Sequence, residues 1–250
     1  MKLSDAVVLV TGSSGGIGAA CAGELAAHGA QVIVHGRDPD RLEAVAAGLG
    51  AKAIRADLSE PGAPEQVACA AREVFGRVDA VLHCAGVGWY GETAAMPSAA
   101  IDELLEVNVR APVRLTRALL PQMVARRHGH VAFLSSIAGW TGVANEALYA
   151  ATKAAVITFA DSLRAELVGS GVGVSLVSPA AVRTEFFERR GTPYGRSIPR
   201  PVSTARIARV VVRGIEQERA NQMVPRWLAV APAVRAAVPP AFRVLSRRFG

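Results

Sequence analysis

Tyr149 and Lys153 stand four residues apart, so on a helix a phenol and an ammonium would share one face and act on the same bound molecule. The chemistry this offers is proton transfer. A free phenol titrates near ~10, too high for an efficient base at neutral pH, and a neighbouring cation is expected to lower that value. Ser136, thirteen residues before Tyr149 at the end of the apolar run Val131–Leu134, would add a second hydroxyl to orient the reacting oxygen, with Ser135 the alternative. Asn108 is a candidate to hold a water between Lys153 and bulk solvent, or else a polar residue that bends its helix. A lone helical tyrosine is more often packing than chemistry. With only three lysines and three tyrosines in the chain, however, the pairing in this order with Ser136 is poorly explained by chance.

These residues need a scaffold, and its pattern is readable. Short β-branched runs alternate with Ala-rich stretches of helical period, the signature of βαβ units in a parallel sheet. Strands are expected near 6–11, 31–35, 52–56, 80–83, 130–135 and 172–177, and helices near 16–28, 39–48, 63–75, 99–127 with a break near Pro112, 148–169 and 203–219. Same-handed crossovers wind such units into a doubly wound α/β sheet flanked by helices. Residues 185–202 show no period, as expected of a loop over a substrate. From about 220 to 250 a C-terminal elaboration follows, in which Pro232, Pro239 and Pro240 rule out a spanning helix. It reads as a pocket cover, a subunit contact or a peripheral membrane surface.

The first strand runs directly into a glycine turn. Gly12 allows the chain to turn sharply, and Gly16 and Gly18 let backbone and helix approach a pyrophosphate attracted to the helix N-terminus. At the end of the second strand, an acid would bind ribose hydroxyls and repel a 2′-phosphate. Gly36 and Arg37 stand there instead, so the expected cofactor is NADP(H) rather than NAD(H), although Asp38 follows and Gly15 carries no basic side chain.

Composition narrows the alternatives. The 250 residues are 51% hydrophobic, enough for one large domain. Three cysteines without paired spacing suit a reduced, cytoplasmic protein, and the histidines form no metal-ligand pattern. The net charge of +7 is uneven: residues 183–250 hold 14 arginines against 4 glutamates, whereas residues 1–182 hold 14 basic and 17 acidic residues. A basic surplus can attract nucleic acid, anionic lipid or an acidic carrier, but no nucleic-acid motif accompanies it, so no nucleic-acid partner is expected.

Taken together, the chain resembles a short-chain dehydrogenase/reductase. The matching elements are Thr11-Gly12-x-Ser14-x-Gly16-Ile17-Gly18, Asp57-Leu58, Ala85-Gly86, Asn108, Ser136, Tyr149-x-x-x-Lys153 and Pro179-x-x-Val182-x-Thr184. His83-Cys84 stands where the family has Asn-Asn, and Ala180 where it has Gly. The resemblance implies a Rossmann-like three-layer α/β/α fold and hydride transfer between a nicotinamide and a carbonyl or secondary alcohol. It assigns Asp57 to the adenine, Ala85 and Gly86 to the adenosine ribose, and Val182 and Thr184 to the carboxamide. It also implies a homodimer or homotetramer built on the two long helices. Trp89, Tyr90 and Trp140 follow site motifs and read equally as pocket lining or core. A hydrophobic substrate with an anionic end, carrier-bound or free, suits the Arg-rich C-terminal region. The alternatives from other classes are a catalytically silent dinucleotide-binding scaffold and a membrane or nucleic-acid binder acting through the basic tail.

Overall fold

The structure, a computed structural model, describes residues 1–195, 198–240 and 242. Residues 196 and 197 of the expected loop, and the tail at 241 and from 243 onward, lie outside the described residues.

Seven parallel strands form one sheet: β1 Val7–Thr11, β2 Gln31–Gly36, β3 Lys52–Arg55, β4 Ala80–His83, β5 Gly129–Leu134, β6 Val172–Pro179 and β7 Asn221–Val224. Their spatial order is β3-β2-β1-β4-β5-β6-β7. Every residue of β1 and β4 is buried, as continuous apolar runs in a parallel sheet covered on both faces should be. The helices α1 Gly16–Ala27, α2 Pro39–Leu49 and α9 Thr204–Glu216 cover one face. There Leu25, Leu42, Ile207 and Val211 pack on Val8, Val10, Val34 and Leu82. On the other face α3 Ala63–Phe75, α5 Ala111–Ala125 and α7 Ala147–Glu166 close a second core through Val67, Leu115, Leu119 and Ile157, set against Leu9, Val81 and Phe133. This is the doubly wound, three-layer α/β/α arrangement expected. Strand order reverses between β1 and β4, the crevice at which such sheets bind ligands.

Four features of the structure depart from the expectations above. The long helix expected over 99–127 is two helices, α4 Ser98–Leu105 and α5, joined by a π-turn at Glu106–Arg110. The break falls at Asn108 rather than at Pro112, which sits in the first turn of α5 where a missing N–H costs nothing. The aperiodic segment carries a short helix, α8 Phe186–Arg189, and a parallel bridge between Val182 and Val202 closes its base, with Arg183 N–H donating to Val202 O at 2.9 Å. β7 was absent from the sequence reading: Asn-Gln-Met-Val is too short and too polar to show an alternation. The helix α6 Ile137–Thr141 was likewise missed. Beyond β7, α10 Val230–Ala237 lies against α6, where Arg235 Nη1 donates to Trp140 O, so this part of the tail packs against the domain. Among the described residues no helix is long and apolar enough to cross a membrane.

Candidate active site

A cleft of about 830 Å³ opens along the C-terminal ends of β1, β2, β4, β5 and β6. Its floor at the β1 end is backbone. A Cβ added to Gly12, whose φ is +68°, would fall 2.6 Å from Ala85 Cα, and one added to Gly18 would fall 2.2 Å from Gly12 O. Only glycine fits either position, so β1, the turn and the start of α1 stay in contact while Ser14, Gly15, Gly16 and Ile17 face the cleft. Thr11 Oγ1 accepts hydrogen bonds from Cys84 N and Ala85 N, both at 3.1 Å, which fixes the end of β4 beside the turn. Leu58, Gly86, Pro179, Val182 and Thr184 also line the cleft.

Outward along β2 and β3 the lining becomes charged. Arg37 Nη1 lies 3.4 Å from Asp57 Oδ2 and 3.1 Å from Glu103 Oε1. Burial works to raise the Asp57 carboxyl, but hydrogen bonds from Ser59 and the Arg37 charge outweigh it and hold the group below its ordinary value. Arg41, in the first turn of α2, also faces the cleft, where it pairs with Glu185.

The other end holds the proton-transfer candidates. β5 delivers Ser135 and Ser136 at its tip. Ser135 Oγ is buried and donates to Lys153 O at 2.9 Å, which ties β5 to α7 and leaves Ser136 to face the cleft. Ser136 caps α6, its Oγ accepting from Ala138 N at 3.2 Å, and its side chain is near enough to that of Tyr149 to favour the phenolate. Lys153, one helical turn on, puts Nζ 5.7 Å from the Tyr149 ring centroid and 3.3 Å from Leu134 O.

Two expectations change here. The Tyr149 phenol was expected to be lowered by Lys153, whereas burial pushes it up to about 12, against the lowering contributions of the Ser136 hydrogen bond and the Arg190 charge. Lys153 is itself buried, which brings its ammonium down to about 8. Asn108 was expected to hold a water. Its side-chain amide is instead engaged by protein: Val87 N donates to Oδ1 at 2.9 Å, and Nδ2 donates to Val87 O at 2.9 Å and to Thr152 Oγ1 at 3.1 Å. The residue therefore locks the segment after β4 onto α7. The π-turn around it shifts the local hydrogen-bond register.

Several cleft residues were not singled out from sequence. Phe186 lies against the Tyr149 ring, centroids 5.5 Å apart. Arg190 is buried, forms an ion pair with Glu146 at 2.7 Å and stacks over Tyr90 and Phe187 at 5.0 and 4.6 Å. Glu146 precedes α7 by one residue, so this pair fastens the aperiodic segment to the helix that carries Tyr149 and Lys153. No local pattern announces it, because the partners are far apart in the chain. Of the three aromatics, Tyr90 meets Arg190, Trp89 packs on the small core around Tyr149, and Trp140 donates to Ser178 Oγ at 3.0 Å. Among the described residues no group of acidic, Cys or His side chains could hold a metal ion.

The sequence model of the short chain dehydrogenase family matches residues 6–194. The chain belongs to that family. It is 30% identical over 269 residues to dehydrogenase/reductase SDR family member 7B of Rattus norvegicus, covering 98% of this chain and 82% of the relative. It is also 33% identical over 188 residues to the 3-oxoacyl-acyl-carrier-protein reductase of Escherichia coli, covering 74% and 77%. Among solved structures, a short-chain dehydrogenase from Sphingobium yanoikuyae in complex with NADPH superposes with a TM-score of 0.83 at 30% identity, covering 92% and 94%. This short-chain dehydrogenase is thus an NAD(P)-dependent oxidoreductase by family, and its glycine cradle, closed to any Cβ at Gly12 and Gly18, fits a dinucleotide.

Proposed function

We propose that this protein is an NADP(H)-dependent reductase, reversible as an alcohol dehydrogenase, that acts on the carbonyl of a hydrophobic or acyl-type substrate. The observation that carries the reading is the convergence of Ser136, Tyr149 and Lys153 at the strand ends, one cleft away from the glycine turn. Gly12, Gly16 and Gly18 would take the pyrophosphate, Asp57 and Leu58 the adenine, Ala85 and Gly86 the ribose beside it, Pro179, Val182 and Thr184 the nicotinamide carboxamide, and Arg37 a 2′-phosphate. When bound, the nicotinamide supplies or accepts a hydride.

The residues of the chain do the rest. Ser136 orients the substrate oxygen with a hydrogen bond, and Tyr149 donates its proton to that oxygen as negative charge builds there. A phenol held near 12 remains protonated through the neutral range, which favours the reductive direction. In the reverse direction the phenol must lose its proton, and the Lys153 cation facing its ring is the group that stabilises the phenolate. Lys153 carries its charge below about pH 8, so turnover is expected to decline as pH rises through that value. Phe186, Phe187 and Tyr194, joined through ring contacts, give the substrate end an apolar wall, in keeping with the hydrophobic substrate proposed.

The carrier-protein reductase among the relatives supports an acyl substrate, presented on a carrier or free. Exposed Ile101, Leu105 and Val124 on α4 and α5 support pairing of two copies through that face, to be checked by light scattering. The deciding experiment is a set of initial rates for ketones and 3-oxoacyl thioesters with NADPH and NADH. Oxidation of NADPH by an apolar ketone, faster than that of NADH, is expected. A protein that binds NADPH but turns over no carbonyl or alcohol in the panel would leave the silent scaffold instead.

A further inference from the structure

The ion pair between Arg41 and Glu185 takes no part in the chemistry above, yet it spans the cleft. Glu185 Oε1 and Oε2 lie 2.7 and 2.8 Å from Arg41 Nη2. A Cβ placed on Gly15 would stand 3.7 Å from that same nitrogen, so the guanidinium overlies the glycine turn, in the space a side chain at position 15 would enter. Glu185 comes from the opposite wall. It follows Thr184, whose Cγ2 would lie 3.4 Å from a Cβ on Gly16, and it begins the excursion that carries Phe186 and Phe187 to Tyr149. Arg189, one turn along, holds the same carboxylate at 2.6 Å.

Both partners are substantially exposed, 42% for Arg41 and 54% for Glu185, so solvent screens the pair and makes it exchangeable. Its two arginines hold the Glu185 carboxyl down at about 2, so it is charged throughout the neutral range. A phosphate brings more charge and more acceptor oxygens than a carboxylate, and guanidinium favours such an acceptor.

We propose that Glu185 is an internal substitute for a cofactor phosphate at Arg41, displaced when the dinucleotide binds, so that occupancy of the adenosine end resets the excursion over the reaction end. The inference rests on the reading that the cleft takes a nicotinamide dinucleotide. The phosphate is either the 2′-phosphate or the pyrophosphate, which share the recognising chemistry. Because coupling is reciprocal, a substrate that moves the excursion also changes cofactor affinity.

Calorimetric titration of the full chain and its E185Q, R41A and R41A/E185Q variants with NADPH, NADH and adenosine 2′,5′-bisphosphate tests this, together with hydrogen exchange over residues 184–195. E185Q is expected to bind NADPH about fivefold more tightly, and the gain should vanish in the R41A background. The bisphosphate should accelerate exchange of the segment in the wild type and not in E185Q. A gain confined to NADPH and the bisphosphate assigns the 2′-phosphate, whereas a gain shared with NADH assigns the pyrophosphate; either supports the proposal. Unchanged affinity in E185Q for all three ligands, or a gain that persists without Arg41, overturns it while leaving the proposed reductase standing. Failure of the wild type to bind either dinucleotide overturns the functional reading itself.

Discussion

The two ends of the cleft manage charge in opposite ways. At the end proposed to take the adenosine, Arg37, Arg41, Asp57 and Glu185 meet one another in partly or largely solvated pairs, beside a glycine turn whose surface is mostly backbone. At the reaction end Lys153 is buried, and the Glu146–Arg190 pair is only 11% and 4% exposed. A screened pair contributes little stability and changes partner easily. A buried pair cannot lose one member without leaving the other charge stranded. The cleft thus has an end built for exchange and an end built for fixed position.

Substitutions can break this contrast or make it sharper. The largest effect is expected from Tyr149→Phe, which removes the only proposed proton donor: kcat should fall roughly a thousandfold, with NADPH affinity by calorimetry within about twofold of wild type. A parallel loss of cofactor affinity would argue that the phenol is structural. Arg190→Ala should come next, lowering unfolding free energy by about 3–5 kcal/mol in urea titrations because Glu146 is left buried and unpaired. The matching change at the exposed end, Arg41→Ala, should cost less than about 1 kcal/mol in the same assay. Equal losses at the two sites would erase the distinction.

Acidification probes the interior beneath both ends. Burial lowers the imidazoles of His35, His83 and His130 to about 4, 3 and 3, below their ordinary 6.5. The unfolded chain therefore binds more protons between those values, so the stability these neutral rings allow is present above pH 6.5 and lost as pH falls toward 4. The urea midpoint should drop clearly between pH 7.5 and 5.5, and a flat profile would place those rings in contact with solvent. A smaller effect than those at Tyr149 and Arg190 is expected of Arg37→Ala, which should narrow the preference for NADPH over NADH by about tenfold in fluorescence titrations. Because Arg37 already faces Asp57 and Glu103, an unaltered ratio would shift the discrimination to Arg41.

What the sequence disclosed follows the same division. The glycine turn, the buried strand runs and the Ser136, Tyr149 and Lys153 spacing are local patterns imposed by backbone geometry, and they identified the sheet, the cradle and the hydroxyl facing Tyr149. Contacts between distant segments leave no such mark. Arg190 meets Glu146 only because the excursion folds back, and Arg41 reads on its own as an ordinary helical charge. The titration of Tyr149 was misjudged for a related reason: spacing shows the nearby cation, whereas the burial that dominates the phenol arises only once Phe186 and the small core of Leu104 and Ala138 close around the ring. Asn108 was noticed, but its role in a π-turn depends on the carbonyl and N–H of Val87, which no spacing rule connects to it.

The bridge between Val182 and Val202 gives the excursion a seam. Because the chain leaves and returns at one sewn point, side chains of the stretch between other than its anchors Thr184, Glu185 and Arg190 can change while the strands, the glycine turn and α7 keep their places. Substrate range is therefore expected to be exchangeable as a cassette: transplanting the segment from a relative, with the two valines and those three anchors retained, should transfer the donor's preference for substrate size while cofactor affinity is kept.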